Sequence, residues 1–246
     1  MRFLPKPADS AAKACIDGFV AVQNAGRAAG TPWTVLGLDY GSFTRTSQLR
    51  PLLIAEQKGL CAYTGVGLNN LASRNPQNQD YWFKPHIEHL KSQHQCKLEL
   101  EARGGVYGKD LGEDLAYANL VAAIEVVGAA SEHFGAAYRG NRPLPIVPTN
   151  PACSAAFFYT ATGDVFGNSA DADTTISHLK LDHETLNEWR SGAVDGLLPL
   201  GVDTPRDTLE FLIEVLEDET RPSLPEFSFV VAQVARAYLA LKNANP

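Results

Sequence analysis

Hydrophobic residues recur every three to four positions in several stretches of the chain, which predicts amphipathic helices. Residues 46–59 carry leucines at this spacing, with Ser47 as a possible N-cap and Gly59 as a C-terminal stop. Residues 223–242 have the same periodicity and predict a last helix that faces the core. Three further helices are expected to start near Thr174, at a cap on Asp182, and at Thr204-Pro205.

Other stretches are typical of strands. Residues 79–90, QDYWFKPHIEHL, are rich in aromatic residues and predict a strand that ends near His89. Residues 60–68 contain two glycines suited to a turn between short strands. Residues 155–167, AAFFYTATGDVFG, predict a hairpin with its turn at Thr162-Gly163.

The middle of the chain is harder to assign. Residues 91–115 are polar and contain glycines, so we expect a loop. Residues 115–130 follow, and their alanine-rich end favours a helix. A further helix is expected to begin before residues 143–148, and the prolines of that run end it. We place a segment boundary in this proline-rich run. The sequence therefore predicts an α+β fold that is mostly helical, with segments 1–45, 46–150 and 151–246.

Charge constrains what the chain could bind. The net charge is −7, and no basic tail or stripe is present, so we expect any contact with nucleic acid to be local or to depend on a partner. Residues 164–219 hold fourteen acidic side chains against three basic ones, whereas residues 84–109 hold five basic against three acidic. The acidic region is interpreted as a solvated helical face, with a surface for a basic partner as the alternative.

Four cysteines are spread along the chain without a C-x-x-C pair, which predicts neither a disulfide framework nor a zinc knuckle. The first residues lack an apolar signal core, and no apolar run is long enough to cross a bilayer. We therefore expect a cytoplasmic protein without membrane contact.

Residues 84–94, KPHIEHLKSQH, contain three of the six histidines. Side chains alternate along a strand, so His86 and Glu88 would share one face, and His89 could join them only where the strand ends or kinks. Glu88 could anchor a hard divalent cation, and His89 could accept a proton from water. The short pattern alone also fits a surface cluster, just as Asn119 alone fits a turn residue.

A longer correspondence favours the site. It is formed, in this order, by GLCAYTG (59–65), HIEHLKSQ (86–93), DLAYANLVAA (114–123), FGAAYRGNRPLP (134–145), FFYTATGDV (157–165) and TTISHLKLDHETLNEWR (174–190). Together these blocks resemble HNH endonucleases that serve as nuclease subunits of Septu-type and retron-associated anti-phage defence systems. The resemblance covers about residues 46–190.

The resemblance implies a ββα-metal core in segment 46–150, with helical additions on both sides, that hydrolyses phosphodiester bonds of DNA or RNA. Glu88 matches the acidic metal ligand, and His89 matches the general base, also predicted at the metal. Asn119 matches the asparagine that orients the base, and His86 matches a recurring upstream histidine. A divalent cation, Mg²⁺ or Mn²⁺, and an ATPase subunit as partner are implied as well.

Three basic side chains are candidates for contact with the substrate, namely Lys84, Lys91 and Arg139, the last of which stands where the family has lysine.

The chain departs from the family at several positions. Ala137 stands where the family's helix supplies a third His or Asn ligand, so the site is degenerate, engineered, or completed by another residue such as His133. Thr64 and Ala123 stand where zinc-bearing relatives have cysteines, so we expect no structural zinc. The main hypothesis is a metal-dependent endonuclease. The alternatives are an inactive binding subunit with the same fold and a helical scaffold without metal.

Overall fold

The computed structural model describes residues 1–32, 35–43, 46–77 and 79–244. In this part of the chain the first half contains helices α1 (Ala11–Ala28), α2 (Thr46–Glu56), α3 (Gln93–Ala102) and α4 (Gly135–Arg139), and strands β1 (Tyr81–His89) and β2 (Leu120–Gly128). The second half contains helices α5 (Cys153–Ala156), α6 (Ala170–Leu179), α7 (Glu184–Leu197), α8 (Arg206–Glu217) and α9 (Ser228–Ala244), and strands β3 (Phe157–Tyr159) and β4 (Val165–Gly167). The fold is α+β, as predicted, and about half of the chain is helical, which is compatible with the predicted helical content.

Strands β1 and β2 form a two-stranded antiparallel sheet at the centre of the molecule. Their register runs without interruption from Tyr81 opposite Gly128 to His89 opposite Leu120. The strand predicted to end near His89 is confirmed. The pairing is regular to the last residue, so neighbouring side chains at the end of β1 point to opposite faces of the sheet.

Strand β2 corrects the prediction of a helix at the end of residues 115–130. Residues 120–124 are completely buried, and they pair along their whole length with β1. Alanine favours a helix in isolation, but the β-branched Val121, Ile124 and Val126 pack well in a buried strand, and pairing with β1 decides the outcome.

The connection between β1 and β2 contains helix α3, which corrects the expectation of a loop over residues 91–115. Ser92 caps this helix by accepting a hydrogen bond from the backbone N–H of Gln95 at 3.2 Å. Cys96 and Leu100 are its buried positions. The connection is therefore ordered, and it folds back over the end of β1.

Helix α4 follows β2 after a short segment that contains one 3₁₀ turn (Ala130–Glu132), and it packs against the strand. The helix has only five residues, and Gly140 ends it with a φ of +57°, in the left-handed region that glycine adopts readily. The order along the chain is therefore strand, ordered connection, strand and helix, with α4 next to the end of β1.

The remaining elements surround this unit. The predicted hairpin is confirmed as β3 and β4. Its turn requires glycine at position 163, because φ is +84° there and a Cβ atom would lie 2.0 Å from the carbonyl oxygen of Asn187 in α7. The predicted helix near 46–59 is confirmed as α2, but it begins at Thr46, so Ser47 lies inside the helix. Residues 60–68 form a tight turn with one isolated bridge between Leu60 and Gly67.

The C-terminal helices are confirmed with shifted starts. Helix α6 is capped by Ser169 and starts four residues before Thr174, and α7 is capped by His183 rather than Asp182. Helix α8 starts directly after Pro205. Helix α9 buries Val230, Val231 and Val234 in a core shared by all three segments of the chain.

Within the described part of the chain, no helix combines the length and the apolar character needed to cross a bilayer.

Candidate functional site

Glu88 lies on the face of β1 that is turned toward α4. Its Oε1 accepts a hydrogen bond from Nη1 of Arg139 at 2.6 Å and a longer one from the Tyr63 hydroxyl at 3.4 Å. Its Oε2 lies 3.4 Å from Nε2 of His86. One carboxylate oxygen is therefore engaged with a buried cation, and the other faces the partly exposed His86.

Arg139 is the last residue of α4, and its side chain is 1% exposed. Besides Glu88, its Nη1 donates to the carbonyl oxygen of His89 at 2.7 Å, its Nη2 donates to the carbonyl oxygen of Leu90, and its Nε donates to that of Arg142 at 2.8 Å. A planar guanidinium can satisfy several acceptors at once. Predicted as a substrate contact, Arg139 instead directs its donors into the protein and fastens α4 to the end of β1.

His89 points to the opposite face of the sheet, away from Glu88. Its Nε2 lies 3.1 Å from the carbonyl oxygen of Asp114 and 3.4 Å from the amide nitrogen of Gln93, and the ring of Tyr40 meets it edge to face at 4.4 Å. The carbonyl oxygen of Asp114 can only accept a hydrogen bond, and the amide nitrogen of Gln93 can only donate one. The contact with the carbonyl oxygen is the shorter of the two, so we assign the ring proton to Nε2, which leaves the lone pair on Nδ1 and makes the Gln93 amide a neighbour without a hydrogen bond to the ring.

The protonation state of His89 follows from its burial. Burial lowers the pKa of His89 to about 4, because desolvation disfavours the charged imidazolium. The imidazole is thus neutral near pH 7, which is the form that can accept a proton.

Asn119 closes the connection between the two strands. Its Oδ1 accepts from the backbone N–H of Lys91 at 2.6 Å, and its Nδ2 donates to the carbonyl oxygens of Lys91 and Glu113, each at 3.1 Å. Asn119 does not touch the imidazole through these bonds. It holds the backbone next to Asp114, whose carbonyl oxygen contacts His89, so its effect on His89 is indirect.

The predicted lysines lie near the site but are paired with glutamates. Lys84 and His86 both contact Oε2 of Glu125 on β2, at 3.2 and 3.5 Å. Lys91 contacts Glu99 at 2.8 Å and Glu113 at 2.6 Å. Both lysines keep at least a third of their side-chain surface exposed, so they can exchange these partners for phosphate oxygens at the cost of weak surface pairs.

A cavity of about 670 Å³ opens beside Lys91 and its partners Glu99 and Glu113. Lys91, Asn119 and Arg139 border it, together with apolar side chains such as Leu90 and Leu144. It lies between the connection that precedes β2 and the segment that follows α4.

The position that the family uses for a third ligand has a different environment here. Ala137 precedes Arg139 by two residues in α4, and residues at this spacing do not share a helix face. His133 lies before α4 rather than one helical turn earlier in it, and its Nε2 lies 3.1 Å from the carbonyl oxygen of Gly128. The alignment on one helical face that would make His133 a substitute ligand is therefore not present.

The residues at the zinc positions of the family are packed as core. Cys61, Thr64 and Ala123 are buried, and Sγ of Cys61 accepts a hydrogen bond from the backbone N–H of Ile124 at 3.3 Å. A single thiol next to a hydroxyl and a methyl group does not make the four-ligand set of a structural zinc site.

Two side chains of the site could be ligands of a divalent cation. Oε2 of Glu88 and Nε2 of His86 are close enough to bind one ion, and a hard cation keeps several waters and takes further ligands from substrate phosphates. Among the described residues, no group of three or more His, Cys, Asp or Glu side chains is arranged to hold a metal. The two atoms thus fit an ion that would bind mainly through water and substrate, whereas His89, the other predicted metal ligand, points to the opposite face of the sheet.

Three residues of the site were not identified from the sequence: Tyr40, Tyr63 and Asp114. Tyr63 lies inside the GLCAYTG block, and Asp114 is the first residue of the DLAYANLVAA block. For Asp114 the available signal was that it is the one charged residue of a mainly apolar block. Tyr40 comes from outside the resemblance, and no pattern indicated its contact with His89.

No protein-family model matches this chain, and no curated protein matches it.

Proposed function

We propose that this protein is a metal-dependent endonuclease of the HNH type, the nuclease subunit of a bacterial anti-phage defence system that acts with an ATPase partner. One observation carries the proposal. The chain order β1, connection, β2, α4 places an acidic residue and a neutral histidine at adjacent positions at the end of β1, an asparagine clamp at the start of β2, and the end of a helix beside the acidic residue. The acidic residue and the histidine lie on opposite faces of the sheet, so a phosphodiester would have to lie across the end of β1 to meet both. The resemblance in sequence describes the same order.

The chemistry of the site follows from His89. Its Nε2 proton is held by the carbonyl oxygen of Asp114, so Nδ1 is the atom that would take a proton from the attacking water. The water oxygen then forms a bond to phosphorus while the bond from phosphorus to the leaving oxygen breaks. Near pH 7 the imidazole is already neutral, and no proton has to leave before it acts as a base.

Glu88 and His86 would hold the divalent cation through Oε2 and Nε2. When bound, such a cation stabilises the negative charge that develops on the phosphate and on the leaving oxygen. Lys84, which shares Glu125 with His86, and Lys91, which borders the cavity, would make the few phosphate contacts that the chain can offer.

The partner accounts for the charge of the chain. A protein with a net charge of −7 gains little from phosphate contacts by itself. A larger and more basic ATPase subunit would supply most of these contacts and leave cleavage to this chain, in the cytoplasm where phage nucleic acid appears.

A second candidate is a binding subunit with the same fold and no cleavage activity. The specific observation in its favour is the guanidinium of Arg139 at 2.6 Å from Glu88, together with Ala137, which has no atom to offer a metal. In this candidate the ion pair replaces the cation as the partner of Glu88.

Cleavage of defined DNA and RNA substrates separates the two candidates. The protein is incubated alone and with its ATPase partner, in Mg²⁺, Mn²⁺ or EDTA, and His89→Ala is compared with His94→Ala, which changes an exposed histidine of α3. The endonuclease proposal predicts metal-dependent cleavage that His89→Ala abolishes and His94→Ala retains. Absence of cleavage by the wild-type complex in every condition would leave the binding subunit, and full activity of folded His89→Ala would remove His89 from the mechanism.

A further inference from the structure

Asp114 is a fully buried carboxylate that lies in the connection just before β2. Its Oδ2 accepts two hydrogen bonds, from the backbone N–H of Tyr40 at 2.8 Å and from the hydroxyl of Tyr107 at 3.1 Å. Its own carbonyl oxygen is the atom that lies 3.1 Å from Nε2 of His89. One residue therefore contacts the imidazole with its main chain and binds a neighbouring segment with its side chain.

The bond to Tyr40 leads back to the same imidazole. Tyr40 directs its ring edge to face against His89, with 4.4 Å between the ring centres and 86° between the planes. The backbone N–H that Asp114 holds belongs to this tyrosine. His89 is thus held through its Nε2 proton by the carbonyl oxygen of Asp114, and against its ring by a residue that the Asp114 carboxylate keeps in place.

From this geometry we infer that Asp114 is the positioning residue of His89. It fixes the ring orientation and the Nε2–H tautomer, so that the lone pair of Nδ1 is always presented in the same direction. The role of Nδ1 as a base rests on the proposed function, whereas the orientation of the ring does not.

A purely structural role explains the carboxylate less well. Oδ1 of Asp114 is buried and has no hydrogen-bond partner, and an unpaired buried oxygen destabilises the fold. Both partnered contacts fall on Oδ2 alone. Gly112 accommodates this arrangement, because a Cβ atom there would lie 2.5 Å from Oδ1. The connection thus keeps a buried acid, with one oxygen unpaired, at the point where its main chain meets His89.

The test reads the tautomer of His89 in the full-length protein by ¹⁵N NMR of labelled histidine at pH 8 in EDTA, where the signals of His89 are identified by their loss in His89→Gln. Four variants are compared with the wild type. Asp114→Ala removes both contacts of Oδ2, whereas Asp114→Asn keeps an oxygen that can accept both. Tyr40→Ala removes the ring contact, and Asp110→Ala is the matched control, because Asp110 accepts from the N–H of Val106 in the same connection without touching His89.

We expect a single Nε2–H tautomer in the wild type, in Asp114→Asn and in Asp110→Ala, and a mixture of tautomers in Asp114→Ala and Tyr40→Ala. Where cleavage is measured, kcat of Asp114→Ala should fall by about 10- to 100-fold with KM unchanged, because a misplaced base lowers the rate of the chemical step. If Asp114→Ala does not fold, Tyr40→Ala carries the test.

An unchanged tautomer in the folded Asp114→Ala or Tyr40→Ala variant would overturn the inference, and so would an equal change in Asp110→Ala. Failure of the proposed function is a different result. If the wild type cleaves nothing and Asp114→Ala still mixes the tautomers, the positioning role stands and the nuclease proposal fails.

Discussion

The ion pair between Arg139 and Glu88 offers a direct test of how this site is held together. In Arg139→Met the side chain keeps much of its length and loses its charge. The Glu88 side chain, which is 12% exposed, is then left without its cation. The carbonyl oxygens of His89, Leu90 and Arg142 also lose their donors. Removing one partner of a buried ion pair costs about 3–5 kcal/mol, because the remaining charge is uncompensated.

The matched control is Arg236→Met. Arg236 pairs with Glu217 in the same way, but its side chain is 51% exposed, and pairs on the surface contribute about 0–1 kcal/mol. The two substitutions remove the same chemical group, so the difference between them measures the effect of burial together with the three bonds to carbonyl oxygens that Arg139 makes.

The assay is urea unfolding followed by circular dichroism. At an m-value of about 3 kcal/mol per molar urea, a loss of 3–5 kcal/mol lowers the midpoint by about 1–1.7 M. The double variant Arg139→Met/Glu88→Leu should recover most of this loss, because it removes the uncompensated charge. A midpoint shift for Arg139→Met no larger than that of Arg236→Met would refute the assignment of Arg139 as the residue that fastens α4 to β1.

Three further outcomes are expected. The pKa of His89 is lowered from its ordinary 6.5 to about 4, so on acidification the unfolded chain binds the proton before the folded one does. About 3 kcal/mol of the free energy of unfolding that is present above pH 6.5 should therefore be lost as the pH falls toward 4. Urea unfolding in EDTA at pH 7 and 4.5 should show a smaller loss between the two pH values in His89→Gln than in the wild type. Mn²⁺ affinity, measured by calorimetry, should fall by about tenfold or more in Glu88→Gln. It should stay unchanged in the control Glu99→Gln, since Glu99 pairs with Lys91 in the wild type; equal affinities of the two variants would exclude Glu88 as a ligand. The protein alone should bind DNA or RNA weakly, because few phosphate contacts are available. Its affinity in fluorescence anisotropy should fall by only about 10- to 40-fold between 50 and 200 mM salt, as expected for two or three contacts; tight binding by the protein alone would contradict dependence on a partner.

The candidate site was predictable where the signal is local. Glu88 and His89 stand at the end of an aromatic strand whose pattern is plain in the sequence, and Asn119 lies within a block of the resemblance. The role of Arg139 was not predictable, because an arginine near a site is ordinarily interpreted as a phosphate contact. Its burial depends on the carbonyl oxygens at the end of β1, which lie about fifty residues away in the chain.

Local patterns were enough to predict the α+β class, the strand at 81–89, the later hairpin and the helices α2 and α6 to α9, because periodicity, caps and turn residues are properties of neighbouring positions. The strand at residues 120–128 was not predictable in this way, because it is tertiary structure, namely pairing with β1, that makes the alanines there extended. Tertiary structure also keeps β1 regular up to His89, so that Glu88 and His89 face opposite sides of the sheet, and it brings Asp114 and Tyr40 together at His89. These outcomes depend on regular strand pairing and on contacts between segments that are distant in the chain. The free energy of such contacts cannot be inferred from neighbouring positions in the sequence.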